Sequence, residues 1–136
     1  MREFDHRAVA ALLESEPVEA FRLCNDHLRL HPNDASALFI VGHILAKAGR
    51  FCLPWATFKR CVELQPKMAP AWNNLGMSMQ ECGEFEQARD AFKRAVELSQ
   101  SPEHFANLAA NYSAQGNYSE AKRWCRKALE KDPEHS

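Results

Sequence analysis

An all-α chain, wound as a right-handed αα-superhelix of four stacked helix–turn–helix hairpins, follows from three features of the sequence. Apolar residues recur at the three-and-four spacing that gives a helix one buried face, as in Trp72, Leu75, Gly76 and Met79, then Ala88, Phe92, Ala95 and Val96. A near-identical heptapeptide returns after 34 residues: Phe58-Lys-Arg-Cys-Val-Glu-Leu64 and Phe92-Lys-Arg-Ala-Val-Glu-Leu98. Turn and stop residues keep the same step, with Ser15, Gly49, Gly83 and Gly116 at turns and Pro32, Pro66 and Pro133 at helix ends. A fixed period of this length marks a solenoid, in which each unit packs only on its neighbours.

The first copy, about 1–34, is the most divergent. Phe4, Ala8 and Ala11 predict a helix ending near Glu14-Ser15-Glu16, with Arg7 at a site that should be apolar. Pro17 opens a second helix, where its missing N–H costs nothing, and Ala20, Cys24, Leu28 and Leu30 mark the buried side. The second copy, 35–68, is striped by Leu38, Val41, Gly42 and Leu45, then by Phe58, Cys61, Val62 and Leu64, with Asp34 as N-cap. Pro54 falls where later copies have Ala88 and Ala121. A proline inside a helix costs about 3 kcal/mol, so this helix should start near Leu53. The third copy, 69–101, turns at Cys82-Gly83-Glu84. The fourth, about 102–135, carries Phe105, Leu108, Ala109, Tyr112, Gly116, Tyr118, Ala121, Cys125 and Ala128. The four copies form one domain spanning the chain.

The third copy resembles a tetratricopeptide repeat, whose pattern has Trp, Leu-Gly and Ala-x-x-x-Phe where this chain has Trp72, Leu75-Gly76 and Ala88 to Phe92. Armadillo and HEAT repeats are longer, and ankyrin repeats carry another signature. Pentatricopeptide repeats share the period but would bind RNA through a basic surface, which a net charge of −1 disfavours.

Composition narrows the function classes. The start, Met1-Arg-Glu-Phe-Asp-His-Arg7, lacks the apolar core of a signal peptide. The longest apolar run, Ala37 to Ala46, is interrupted by Gly42 and His43 and falls well short of the roughly 20 residues of a membrane span. Neither membrane nor nucleic acid is expected as a partner. Five cysteines without a Cys-x-x-Cys point to a reducing, cytoplasmic setting, with Cys24, Cys61 and Cys125 on buried faces. The repeat absorbs all five glycines, leaving none for a phosphate-cradling loop. No hydrolase or metalloprotease motif occurs, so no catalytic residue and no cofactor are expected.

Two clusters stand outside the repeat pattern. Cys24, His27 and His31 have metal-ligand spacing along one helix side, but no fourth ligand is evident. Packing accounts for Cys24 and His27, and His31 suits a helix C-terminus, so no metal is expected there. Zinc at that place would point to a ligand from the first helix, such as His6. Lys122, Arg123, Arg126 and Lys127 are expected to be a solvated outer face. Counted by copy, net charge runs −3, +4, −2 and 0, so neighbouring copies complement one another.

The resemblance implies a function. Tetratricopeptide repeats hold protein or peptide segments on a concave face lined by the first helix of each hairpin. The family's groove asparagine, before Leu-Gly, matches Asn74 and Asn107; the second copy has Ile40 and the first His6. Phe39, His43, Lys47, Asn73, Met77, Glu81 and Ala110 share that face. The chaperone-tail subfamily clamps a terminal carboxylate with Lys, Asn and Arg. Here Asp5, Val9, Ile40, Asn73 and Met77 occupy the matching columns, so that clamp is missing. The expectation is a non-catalytic interaction module and scaffold for a protein or peptide ligand. The alternative is a recruiting or assembly domain of a larger enzyme, such as a glycosyltransferase. Self-association through the last hairpin's outer face is a further possibility, since terminal repeats need a polar surface or a cap.

Overall fold

The computed structural model describes residues 4–49 and 54–131, and every element among them is an α-helix. The helices are α1 (His6–Ala11), α2 (Pro17–Leu30), α3 (Ala35–Lys47), α4 (Pro54–Leu64), α5 (Ala69–Glu81), α6 (Phe85–Leu98), α7 (Pro102–Ala114) and α8 (Tyr118–Lys131). They pair as four antiparallel hairpins, and each hairpin's second helix packs on the first helix of the next. The first helices also touch in series, α1 on α3, α3 on α5 and α5 on α7, whereas the second helices do not touch one another among the described residues. This asymmetry puts the first helices on the inside of the curve and the second helices on the outside.

Local chemistry sets the boundaries. Gly49, Gly83 and Gly116 have φ of 81°, 86° and 79°, the left-handed conformation that closes a helix C-terminus and that other residues resist. Asp34 caps α3 by accepting from the Ala37 amide at 3.2 Å. Pro54 is the first described residue of α4; the start expected near Leu53, on which its first-turn place depends, lies outside the described residues.

Crossings within hairpins depend on a small residue facing a ring. A Cβ on Gly76 would stand 2.8 Å from two Phe92 ring carbons, and one on Gly42 would stand 2.7 Å from Phe58. Both phenylalanines are 1% exposed. In these columns the fourth copy has Ala109 and Cys125 instead, and the first copy's Ala8 is exposed. Most buried apolar side chains among the described residues fall into two clusters. The larger runs from Phe58 through Leu75, Phe92 and Leu108 to Ala128. The smaller joins Val9, Ala20, Cys24, Ile40 and Val41.

Four expectations about the core are corrected. In α1 the buried residue is Val9, while Ala8 and Ala11 are exposed and the helix ends at Ala11. Asp5 capping at the Arg7 and Ala8 amides sets this register, which also turns Arg7 outward and removes its apparent conflict. Leu30, the last residue of α2, is 69% exposed because the helix has run past its neighbours. Cys125 is exposed, since among the described residues no helix covers the outside of α8. Trp72 is half-buried rather than buried, its indole N–H donating to the Pro66 carbonyl at 2.8 Å.

Candidate partner-binding groove

The inner face is built from α3, α5 and α7, and the site residues expected from the sequence all lie on these helices. Phe39, His43 and Lys47 follow one another at four-residue steps along α3, as do Asn73, Met77 and Glu81 along α5. A four-residue step returns to nearly the same side of a helix, so each set makes one stripe. Met77 is 47% exposed on this stripe. Phe39 and His43 stack with ring centroids 6.5 Å apart, and Phe39 meets Phe58 edge-on at 5.8 Å.

The asparagines do not behave alike. Asn107 Nδ2 donates to Asn73 Oδ1 at 2.9 Å, tying α7 to α5. Asn73 is 4% exposed, and its own Nδ2 points at Met77 Sδ, 3.7 Å away. The inter-repeat amide pair is therefore Asn73–Asn107. Asn74, the repeat-column match of Asn107, stands half-buried outside that pair. Asn107 is thus engaged between hairpins. Ile40, in the same column, is buried in the smaller core cluster.

Charge in the groove is largely committed. Lys47 pairs with Glu14, which follows α1 of the preceding hairpin, and this contact holds the Glu14 carboxyl below its ordinary range. Burial, helped by Lys47 and opposed by Glu14, pushes the His43 imidazole below its ordinary value. The α3 stripe thus presents a neutral imidazole and a paired ammonium. Glu81 is exposed at the far end of α5.

Sequence reasoning missed the buried polar links between hairpins. Asn111 is fully buried; its Nδ2 donates to Gln80 Oε1 at 2.9 Å and to the Phe85 carbonyl at 3.1 Å, while Gln115 donates to its Oδ1 at 2.7 Å. His104 Nδ1 lies 2.9 Å from the Ser99 carbonyl. An asparagine in the middle of a helix with high apolar content was the available signal for Asn111. Burial raises the thiol of Cys24 to about 11 and that of Cys61 to about 12, so both stay protonated and act as small apolar groups. Cys82 is disulfide-bonded, which gives a uniformly reduced set of cysteines no support.

The two extra clusters are also resolved. Cys24 and His31 do not share a ligand set with His27; the donor atoms that converge belong to His6, His27 and Asp34. In the basic cluster, Lys127 and Arg123 lie over the Trp124 ring, 4.4 and 5.7 Å from its centroid. Lys122 and Arg126 rim an apolar groove between α7 and α8, about 780 Å³ in volume, floored by Ala109, Ala121, Cys125 and Leu129. No described helix is long and apolar enough to cross a membrane.

Comparison with known proteins agrees with the fold. A MamA crystal structure superposes with a TM-score of 0.85 at 20% identity, covering 93% of this chain and 75% of that one. MamA from residue 41 onward, from Desulfovibrio magneticus RS-1, gives 0.85 at 21% identity, covering 96% and 76%. At such identity the likeness concerns the fold. In sequence, 72 residues are 29% identical to the Saccharomyces cerevisiae protein named Essential for maintenance of the cell wall protein 1, covering 53% of this chain and 8% of the yeast protein. The tetratricopeptide repeat family matches residues 67–134, the third and fourth hairpins, and the remaining hairpins repeat the same architecture. The chain belongs to the tetratricopeptide repeat family.

Proposed function

We propose that this protein is a non-catalytic interaction module that holds an extended or short helical protein segment along the concave face of α3, α5 and α7. The observation that carries the reading is the combination, on that face, of an amide pair linking two hairpins and an exposed methionine one turn away. Asn74 and Asn107 offer donors and acceptors that a peptide backbone can meet regardless of sequence, while Met77, Phe39 and His43 supply apolar contact. Glu81 and Lys47 flank the stripe and would tune charge preference.

The test has two stages. Affinity capture with mass spectrometry supplies a partner, and titration against groove and outer-face variants then locates the contact. Loss of binding on changing Asn74 or Met77, with retention on changing Lys122 and Arg126 together, supports the groove. The reverse pattern moves recognition to the outer face of α8. A cytoplasmic setting belongs to the same reading and is checked by cell fractionation.

A second reading makes the chain a recruiting or assembly domain of a larger enzyme. The yeast match, in which the aligned segment is under a tenth of the whole protein, bears on a longer chain and not on catalysis. The discriminating observation is whether an open reading frame continues into a catalytic domain. Self-association is the third arm, through the apolar groove between α7 and α8; light scattering of the wild type and of Leu129→Glu would detect it.

A further inference from the structure

We propose that His6, His27 and Asp34 form a divalent-cation site, suited to zinc, that fastens the first hairpin to the second. The three residues come from three places in the chain: the first residue of α1, the last turn of α2 and the N-cap of α3. Their ligand atoms lie within 4.8 Å of one another. His6 Nε2 is 2.7 Å and His27 Nε2 is 2.6 Å from one atom, Asp34 Oδ2.

Several features orient these groups. Asp34 Oδ1 accepts from the Ala37 amide, which fixes the carboxylate plane and leaves Oδ2 directed at the imidazoles. Phe4 lies against the His27 ring at 4.0 Å and 15° and meets His6 edge-on at 4.8 Å, so one aromatic ring sets both imidazoles. The side chains of His27 and Asp34 are 14% and 18% exposed, whereas that of His6 is 44% exposed and leaves an entrance. Support of this kind distinguishes a built ligand set from surface residues that happen to be close.

The chemistry fits a borderline cation. Two imidazole nitrogens and one carboxylate oxygen are the donor set of many zinc sites, with water completing a tetrahedron. Bonds of about 2.0–2.2 Å separate tetrahedral ligand atoms by roughly 3.3–3.5 Å, so Oδ2 would retreat by less than about 1 Å while the two imidazole nitrogens, within 4.8 Å of each other, would close by up to about 1.5 Å. In the metal-free form each Nε2 faces an oxygen that only accepts, so each carries hydrogen. Binding moves that proton to Nδ1, or to solvent where the ring was charged, and the cation takes its place. His31, whose ring is 4.8 Å from that of His27, and the fully buried Cys24 lie outside the set. The set shares His27 with the cluster expected to be metal-free, so zinc bound here would overturn that expectation, with His6 and Asp34 in place of Cys24 and His31.

The experiment uses the full chain without a metal-affinity tag, in a Cys125→Ser background that removes the exposed free thiol. Zinc chloride is titrated calorimetrically, cobalt(II) absorption reports coordination geometry, and thermal unfolding is followed with and without zinc. The expected result is one zinc per chain at micromolar concentration, tetrahedral cobalt bands and a rise of several degrees in Tm. His6→Gln, which keeps a polar side chain at a half-exposed position, should weaken zinc binding at least tenfold. Asp34→Asn, which retains helix capping, should do the same, and His31→Gln should leave it unchanged. Absence of saturable zinc binding below 100 μM overturns the proposal, as does binding by His6→Gln or Asp34→Asn equal to wild type. Should Asp34→Asn fail to fold, His6→Gln alone decides. Loss of binding with His31→Gln reassigns the ligands and also overturns it.

Discussion

Replacing Gly76 with alanine probes the crossing on which the third hairpin depends. The added Cβ would sit 2.8, 2.8 and 3.0 Å from Cδ1, Cε1 and Cζ of Phe92. Ordinary carbon contacts lie at about 3.5–4.0 Å, so the ring must retreat by roughly 0.5–1 Å. Phe92 is 1% exposed within the main core cluster, and retreat pushes it into other packed atoms. Overpacking of this size costs about 1–3 kcal/mol. Against it, alanine in place of glycine inside a helix gains about 0.5–1 kcal/mol. The strain term is the larger, and the expected net loss is about 1 kcal/mol. Urea unfolding followed by helical circular dichroism measures it. The reverse change, Ala109→Gly in α7, reads helix propensity where no phenylalanine stands opposite and should cost about 1 kcal/mol. Combining Gly76→Ala with Phe92→Cys places in the third copy the residues that the fourth has at Ala109 and Cys125, and the two changes should couple by about 1–2 kcal/mol in a double-mutant cycle. Stabilisation by Gly76→Ala, together with coupling no larger than about 0.5 kcal/mol, would refute the account of the crossing.

Other outcomes follow from neighbouring features. Ala88→Leu should cost about 1–3 kcal/mol because Ala88 is fully buried, while Ala121→Leu should cost less because Ala121 borders the α7–α8 groove; equal losses would show that the groove does not relieve the strain. With a partner in hand, Asn74→Ala and Asn107→Ala should each weaken binding by about 1–3 kcal/mol, but only Asn107→Ala should also lower stability, by about 1 kcal/mol, since it leaves the buried Asn73 without its donor. The depressed proton affinity of His43 means that the unfolded chain takes up that proton first as the medium acidifies. Its contribution to stability is therefore present above the ordinary histidine range near about 6.5 and is lost as pH falls through the lower folded value. The urea midpoint of wild type should drop more between pH 7.5 and 5.5 than that of His43→Gln, and parallel slopes would remove His43 from the explanation.

Legibility in the sequence followed periodicity. The heptapeptides at Phe58 and Phe92 share one environment, facing Gly42 and Gly76, and their recurrence was readable because the crossing tolerates so little variation. Hairpin number, turn glycines and the Ala88 and Ala121 columns were readable for the same reason. The first helix was not. Its register depends on Asp5 capping two amides and on Phe4 stacking against His27, which are contacts that no apolar spacing encodes. The groove was half readable: column matching put Asn74 and Asn107 on the inner face but could not show that Asn107 reaches across to Asn73. Such a bond depends on the offset between hairpins, a tertiary quantity. The convergence of His6, His27 and Asp34 likewise joins residues 28 and 7 apart through the bend between α2 and α3.

The division of the buried side chains into two clusters bears on how the molecule opens. Among the described residues the smaller cluster holds five buried residues, against fifteen in the larger. Because second helices do not touch one another among the described residues, α1 and α2 can leave without disturbing α5–α8. The loss removes a modest apolar area, so the first hairpin is a separate, low-energy opening unit. Native-state hydrogen exchange should then show α2 amides exchanging through a local event, insensitive to destabilisation of α6, while α5 and α6 exchange only with global unfolding. Fraying of that kind would bare Ile40 and Val41 on α3, a transient sticky edge whose lifetime is set by the hairpin's closing rate rather than by the stability of the whole chain.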